Sequence, residues 1–262
     1  MGHSHDEIRE AVRDRYTKKV TARETSCCGG ATDDCSSGNC GGGYTIEQLQ
    51  TLPRGADLGL GCGNPTVAAA PRAGETVLDL GSGAGVDCFL AAAKVGPKGR
   101  VIGVDMTPEM VERARENARQ GGYGNVEFRL GTIEKLPAED ESVDLIISNC
   151  VINLSPEKQR VFEEAYRVLA PGGRLIVSDL IAERTPTEEE RSDMDLYSAC
   201  VSGAETAEVM YGLLKGAGFE EPLVAMASDP FNWGDPDAPV VAVYSATISA
   251  KKPLNRSRQQ GD

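Results

Sequence analysis

Between residues 74 and 180 short apolar runs alternate with longer amphipathic stretches. TVLDL (76–80), RVIGVD (100–105), NVEFRL (125–130), SVDLIIS (142–148) and GRLIVSD (173–179) are rich in Val, Ile and Leu. Runs this short and continuous predict parallel strands buried on both faces. Helices are predicted between them over 85–95, over 108–120 with Pro108 at the first helical position, and over 156–169 with Pro156 near the start. Repeated strand–helix units predict a right-handed, doubly wound α/β sheet with helices on both faces. Upstream, residues 4–20 read as an amphipathic helix: Ser4 and Glu7 form a capping box, and Ile8, Val12 and Tyr16 share one face. A short helix follows at about 45–51. Downstream, the Thr187–Glu190 capping box predicts a helix running to about 200, and a further helix spans about 205–216. Late runs at 223–227 and 239–248 are expected to close the sheet edge as an antiparallel pair.

The polar stretches divide the chain. Residues 26–43 (SCCGGATDDCSSGNCGGG) hold almost nothing apolar, GADLGLGCGNP (55–65) forces irregular backbone, and the tail KKPLNRSRQQGD (251–262) reads as disordered. The expected division is an N-terminal helix with a Cys/Gly-rich segment (1–64), an α/β core (65–182), a C-terminal segment closing the sheet (183–250) and the tail (251–262).

Composition narrows the chemistry. The 262 residues carry 27 Lys plus Arg against 40 Asp plus Glu, a net charge of −13, which argues against nucleic-acid partners. No apolar run approaches the ~20 residues of a membrane span, and the N-terminus has no leader-like stretch. A soluble, cytoplasmic monomer is expected, with no membrane partner. The eight cysteines, at 27, 28, 35, 40, 62, 88, 150 and 200, then point to metal binding or catalysis rather than a disulfide scaffold. The only two histidines are His3 and His5, which excludes a histidine-based triad.

The first strand runs into Asp79-Leu-Gly81-Ser82-Gly83-Ala-Gly85 before a helix. A glycine turn at that place lets a ligand approach the backbone at the switch point of the sheet. The third glycine falls one place early for a dinucleotide fingerprint, since Val86 stands where that motif needs glycine. Asp79 suits a cationic amine better than a pyrophosphate. Asp105, at the end of the second strand and 24 residues after Gly81, can accept both ribose hydroxyls. An adenosine carrying an amino acid, S-adenosylmethionine, fits both ends. Glycines alone would make only a tight turn; the strand, helix and spaced Asp105 favour the cofactor.

VLDLGSGAGVD, GVDMTPEMVERARENA and GRLIVSD after a P-G-G turn resemble the class I S-adenosylmethionine-dependent methyltransferases over about residues 65–180. GLGCGNP (59–65), GTIEKLP (131–137), SNCVINLSP (148–156) and ACVSGA (199–204) extend the match, and the whole resembles the arsenite methyltransferases. The resemblance implies a Rossmann-like, mostly parallel sheet with an N-terminal extension and a C-terminal substrate-binding segment. It places Gly81 and its neighbours at the methionine end of the cofactor and Asp105 with Met106 at ribose and adenine. Ile133 and Glu134 would flank the adenine, and Asn149 would lie beneath the cofactor. Leu60 stands where some members carry an aromatic residue over it. Cys62, Cys150 and Cys200 would hold trivalent arsenic and carry the catalysis. A fourth family cysteine corresponds to Cys27 or Cys28 and implies delivery of As(III) or disulfide exchange with Cys62. The implied substrate is As(III) as a thiol conjugate, with glutathione or thioredoxin as reductant.

The residues themselves support this chemistry. Three soft thiolates suit a thiophilic centre, whereas structural zinc takes four ligands, commonly in C-x₂₋₄-C pairs. Trivalent arsenic bound by three sulfurs keeps a lone pair, so no proton need be removed from the nucleophile. Cys62, Cys150 and Cys200 lie 88 and 50 residues apart, so only the fold can bring them together. Singly, each would read as a small buried apolar residue, which is how Cys88 is read. Two alternatives remain open: a C- or O-methyltransferase for quinone- or sterol-like acceptors, and a zinc- or metalloid-binding protein on the same scaffold.

Overall fold

The computed structural model describes residues 3–21, 39–40, 43–230 and 240–254. The segment holding Cys27, Cys28 and Cys35, and the side chain of Cys40, lie outside the described residues. In chain order the elements are α1 (His5–Thr21), β1 (Asn39–Cys40), β2 (Tyr44–Thr45), α2 (Ile46–Gln50), α3 (Pro65–Ala69), β3 (Thr76–Leu80), α4 (Val86–Val95), β4 (Arg100–Asp105), α5 (Pro108–Gly121), β5 (Val126–Leu130), β6 (Val143–Asn149), α6 (Lys158–Val168), β7 (Leu169–Ala182), α7 (Glu188–Ser192), α8 (Met194–Ser198), α9 (Ala207–Gly216), β8 (Glu220–Met226) and β9 (Val243–Lys251). A single 3-10 turn, Ile152–Leu154, follows β6.

The seven-stranded sheet runs β5-β4-β3-β6-β7-β9-β8. β3 to β7 pair in parallel, and β9 and β8 are antiparallel. This is the doubly wound, mostly parallel sheet expected, with the expected antiparallel edge. Its order reverses between β3 and β6, which places the crevice for a ligand beyond the carboxyl ends of those strands. Apolar side chains fill both faces: Leu78, Leu80, Val104, Phe162 and Leu175 on one, Val77, Phe89, Leu145 and Ile147 on the other. Phe162, on α6, is fully buried. Truncating Phe162→Ala is expected to destabilise the protein by about 3–5 kcal/mol, the usual cost of such a cavity; chemical denaturation measures it.

The structure corrects two readings at the C-terminal end. The single helix expected from Thr187 to about 200 is broken into α7 and α8, because the Asp193 carboxylate accepts the N–H groups of Asp195 and Leu196 and starts a new helix. The expected tail does not begin at 251. Lys251 ends β9, and Lys252 is buried, its Nζ donating to the Leu169 carbonyl at 2.6 Å and the Tyr166 carbonyl at 2.9 Å. Residues 255–262 lie outside the described residues. No helix among the described residues is long and apolar enough to cross a membrane.

Candidate active site

The glycine turn leaves β3 with Gly81 at φ +69° and Gly83 at φ +51°, backbone that disfavours a Cβ. At Gly81 a Cβ would also lie 2.4 Å from Val151 Cγ2. At Gly83 the direction of a Cβ is open space, so a ligand can lie against the backbone there. Asp105, at the end of β4, ties the turn down: its Oδ2 accepts the Gly83 N–H at 2.9 Å and its Oδ1 the Thr107 N–H at 2.8 Å. Burial raises its pKa while those N–H groups oppose the rise.

A cleft with about 740 Å³ of free space, partly open to solvent, runs over this edge. Of the residues anticipated for the cofactor, Gly81, Gly83, Asp105, Met106, Ile133, Glu134 and Asn149 line it, together with Leu60 and Cys150. Asp79, Ser82 and Gly85 are not on its wall. Asp79 is buried behind the turn, where the Cys88 thiol donates to its Oδ2 at 3.2 Å. Burial and the carboxylates of Asp87 and Asp105 push Asp79 well up. Cys88 is buried, as expected, and burial and Asp79 push its thiol well up.

Residues that sequence reasoning passed over complete the cleft. Arg9, Val12 and Tyr16 of α1 roof it. The stripe Ile8–Val12–Tyr16 was visible in the sequence, but a stripe says which face is buried and not what it covers. Arg9 Nε lies 3.5 Å from Glu134 Oε1, which also accepts the Ser155 hydroxyl at 2.6 Å. Arg9 also pairs with Glu157, so α1 is fastened at the adenine end of the expected site.

Asp87, in the first turn of α4, is a buried carboxylate that the sequence did not single out. Burial pushes it up to about 6, although the Tyr44 O–H (2.7 Å) and the Asn149 amide (3.3 Å) both donate to its Oδ2. Among the described residues, Asp87 Oδ1 and Ser82 Oγ have no hydrogen-bond partner. Asp105 on the cleft wall, with Asp79 and Asp87 buried behind it and Asp87 Oδ1 unpartnered, makes this edge acidic ground that suits a cationic ligand, and S-adenosylmethionine carries an ammonium and a sulfonium. The donor set therefore fits that cofactor.

A carboxyl whose folded pKa exceeds its ordinary value stabilises the fold at low pH and loses that contribution as pH rises through the folded value. For Asp87 the window runs from its ordinary 3.8 to about 6. The ligand-free protein is expected to be more stable at about pH 5.5 than at about pH 7.5, with Asp87→Asn removing about 0.8 kcal/mol of the difference. Thermal melts of both proteins at the two pH values check this.

The three separated cysteines converge. Cys62 and Cys150 are joined by a disulfide with Cα atoms 5.9 Å apart. Cys200 is free and buried, its thiol donating to the Cys150 carbonyl at 3.1 Å. The cysteines share one apolar cluster with Val12, Leu180, Tyr197 and Val201. Cys150 and Cys200 both sit at positive φ, +54° and +66°, which costs an L-residue about 1–3 kcal/mol and is tolerated mainly where the surroundings enforce it. Asp179 joins them from β7: one of its oxygens and the sulfurs of Cys62 and Cys150 all lie within 4.8 Å of one another. Burial pushes Asp179 up to about 6 against the N–H groups of Leu180 and Asn153. Burial and Asp179 push the Cys200 thiol well up, with Lys158 opposing. Lys158 is itself lowered to about 8 by burial. Neither Asp179 nor Lys158 carried a signal in the sequence beyond its residue type.

A family profile described as "Methyltransferase domain" matches residues 71–218. An arsenite methyltransferase of Halobacterium salinarum is 48% identical over 265 residues, covering 95% of this chain and 67% of the relative. One from Aquipseudomonas alcaligenes is 47% identical over 169 residues, covering 62% of this chain and 48% of the relative. The chain thus spans two thirds of the first and about half of the second. Among solved structures, an arsenic(III) S-adenosylmethionine methyltransferase of Chlamydomonas reinhardtii superposes with a TM-score of 0.67 at 39% identity, over 80% of this chain and 71% of that one.

Proposed function

The chain belongs to the arsenite methyltransferases, within the S-adenosylmethionine-dependent methyltransferases, and from that premise we propose that it methylates As(III) held by its own cysteines. The observation that carries the reading is the placement of Cys150. Cys150 lines the cleft, its sulfur is joined to that of Cys62, and its carbonyl accepts the Cys200 thiol.

In the working state the Cys62–Cys150 disulfide is reduced by a cellular thiol such as glutathione or thioredoxin. The three thiols of Cys62, Cys150 and Cys200 then exchange with the thiol ligands of an As(III) conjugate. Each new sulfur–arsenic bond releases one small thiol, so no net proton is required. Fixing the three sulfurs just after β6, on the Cys62 loop and after α8 leaves the arsenic lone pair as the available nucleophile. Asp105 with Met106 would hold the ribose and adenine, and Gly81 and Gly83 would receive the methionine end. The cofactor, when bound, supplies a sulfonium methyl group that the lone pair can take by in-line displacement. The protein's contribution is largely placement: binding both reactants at near-attack distance can supply about 7–11 kcal/mol of the barrier. Arg9, Val12 and Tyr16 of α1 would cover the bound cofactor. Cys27 or Cys28 would relay arsenic or exchange disulfides with Cys62. The setting that suits this chemistry is the cytoplasm, where a thiol pool is available, and the outcome there would be arsenic detoxification.

Purified reduced protein incubated with S-adenosylmethionine, As(III) and excess glutathione tests the reading by arsenic speciation. Methylated arsenicals are expected. Tight As(III) binding without turnover would replace the enzyme with a metalloid-binding protein, and methylation of a quinone precursor without arsenic dependence would replace the acceptor.

A further inference from the structure

We propose that Tyr44 is a positioning residue for Cys62, acting through the Asn149 amide; the inference rests on Cys62 being a redox-active member of the site described above. Cys62 lies outside any helix or strand, so something other than a hydrogen-bonded ladder must hold it. Its backbone N–H donates to Asn149 Oδ1 at 3.1 Å, and its carbonyl accepts the Ser245 hydroxyl at 3.3 Å. On either side the loop touches its supports without a side chain in between. A Cβ on Gly61 would lie 2.8 Å from Asn149 Nδ2, and one on Gly63 would lie 2.7 Å from Ser178 Cβ.

The Asn149 side chain is thus the support on which the Cys62 N–H hangs, and its orientation is set from behind. Asn149 Nδ2 faces three oxygens: Gly63 O at 2.7 Å, Tyr44 Oη at 2.8 Å and Asp87 Oδ2 at 3.3 Å. Turned over, the amide would set its oxygen against the Gly63 carbonyl and the Asp87 carboxyl and its NH₂ against the Cys62 N–H. Tyr44 connects these groups: buried at 4% exposure, its hydroxyl donates to Asp87 Oδ2 and accepts from Asn149. Tyr44 does not line the cofactor cleft, so its removal separates the Cys62 support from cofactor contact. Without the hydroxyl, Asn149 loses an acceptor and Asp87 its shorter donor, which leaves the amide held from behind by the Gly63 carbonyl and the longer Asp87 contact alone.

The disulfide equilibrium reads the placement of Cys62 without any arsenic. Reduction breaks the Cys62–Cys150 bond, moves two hydrogens from two glutathione thiols to the cysteine sulfurs, and joins the glutathiones as their disulfide. Its equilibrium constant measures how well the two enzyme sulfurs are held for each other. Full-length protein and Tyr44→Phe would be equilibrated over glutathione redox buffers, acid-quenched, alkylated, and the Cys62–Cys150 pair quantified by peptide mass. Tyr44→Phe is expected to weaken the disulfide about tenfold, or about 30 mV, while S-adenosylmethionine affinity stays within about twofold. An equilibrium constant unchanged within about twofold overturns the proposal, because a merely structural tyrosine would lower the melting temperature and leave the disulfide where it was. Should the phenylalanine variant not fold, Asn149→Ala takes its place, with at least the same weakening expected and the same overturning result. In arsenic assays the KM for As(III) should rise, and Tyr44→Phe should add nothing in a Cys62→Ser background. A wild-type protein that turned over no arsenic would remove the proposed function but leave the redox result standing.

Discussion

Replacing Cys150 with serine is expected to lower arsenic methylation by at least about 10²-fold, equivalent to about 3 kcal/mol of transition-state stabilisation. Serine is nearly isosteric and can keep the backbone at the φ of +54° that position adopts, so the fold and the cleft wall should survive. What is lost is a soft sulfur, for which a hydroxyl is a poor substitute toward a thiophilic centre. Arsenic speciation reads the loss, and calorimetry should find S-adenosylmethionine affinity within about threefold of wild type. The same experiment on Cys200, whose thiol sits 3.1 Å from the Cys150 carbonyl, should give a loss of the same order. A serine variant that methylated arsenic normally would remove that cysteine from the site.

The second large effect belongs to Asp105. Asp105→Ala is expected to weaken S-adenosylmethionine binding by about 10²-fold, since it removes the proposed ribose acceptor and releases two backbone donors together. Those donors, the N–H groups of Gly83 and Thr107, are what the carboxylate holds in the ligand-free protein. Isothermal titration measures the affinity directly. Arsenic binding by the three cysteines should be unaffected, because none of them contacts Asp105 by a hydrogen bond among the described residues. Loss of both affinities together would mean that the variant had disturbed the fold.

Much of the architecture was readable in the chain because one physical signal dominates it. Strands buried on both faces must be continuously apolar, so TVLDL and RVIGVD announced β3 and β4 to the residue. The glycine turn and Asp105 were readable for a related reason: few residue types tolerate that backbone or that role. The failures share a different cause. Asp193 broke a predicted helix because a short polar side chain competes with the backbone for its own N–H groups, an effect that periodicity does not register. Lys252 was read as tail because a lone lysine signals solvent unless a cage of carbonyls receives it, and that cage comes from residues over 80 positions away. Tyr44, Asp87 and Asp179 were passed over for the same reason, since their importance lies in partners that only the fold supplies. The cysteines were recognised through family resemblance; their convergence at the end of β6 is a property of the three-dimensional path.

The Cys62–Cys150 bond spans 88 residues of chain, and a cross-link over a loop of that length removes about 4–5 kcal/mol of entropy-derived freedom from the unfolded chain. A reductant that opens the bond therefore also withdraws a staple joining the Cys62 loop to the central sheet. On the proposed function, the oxidised protein is the more durable form and the reduced protein the working but more perishable one. Heat tolerance and readiness for turnover should accordingly move in opposite directions as the thiol pool of the surroundings changes.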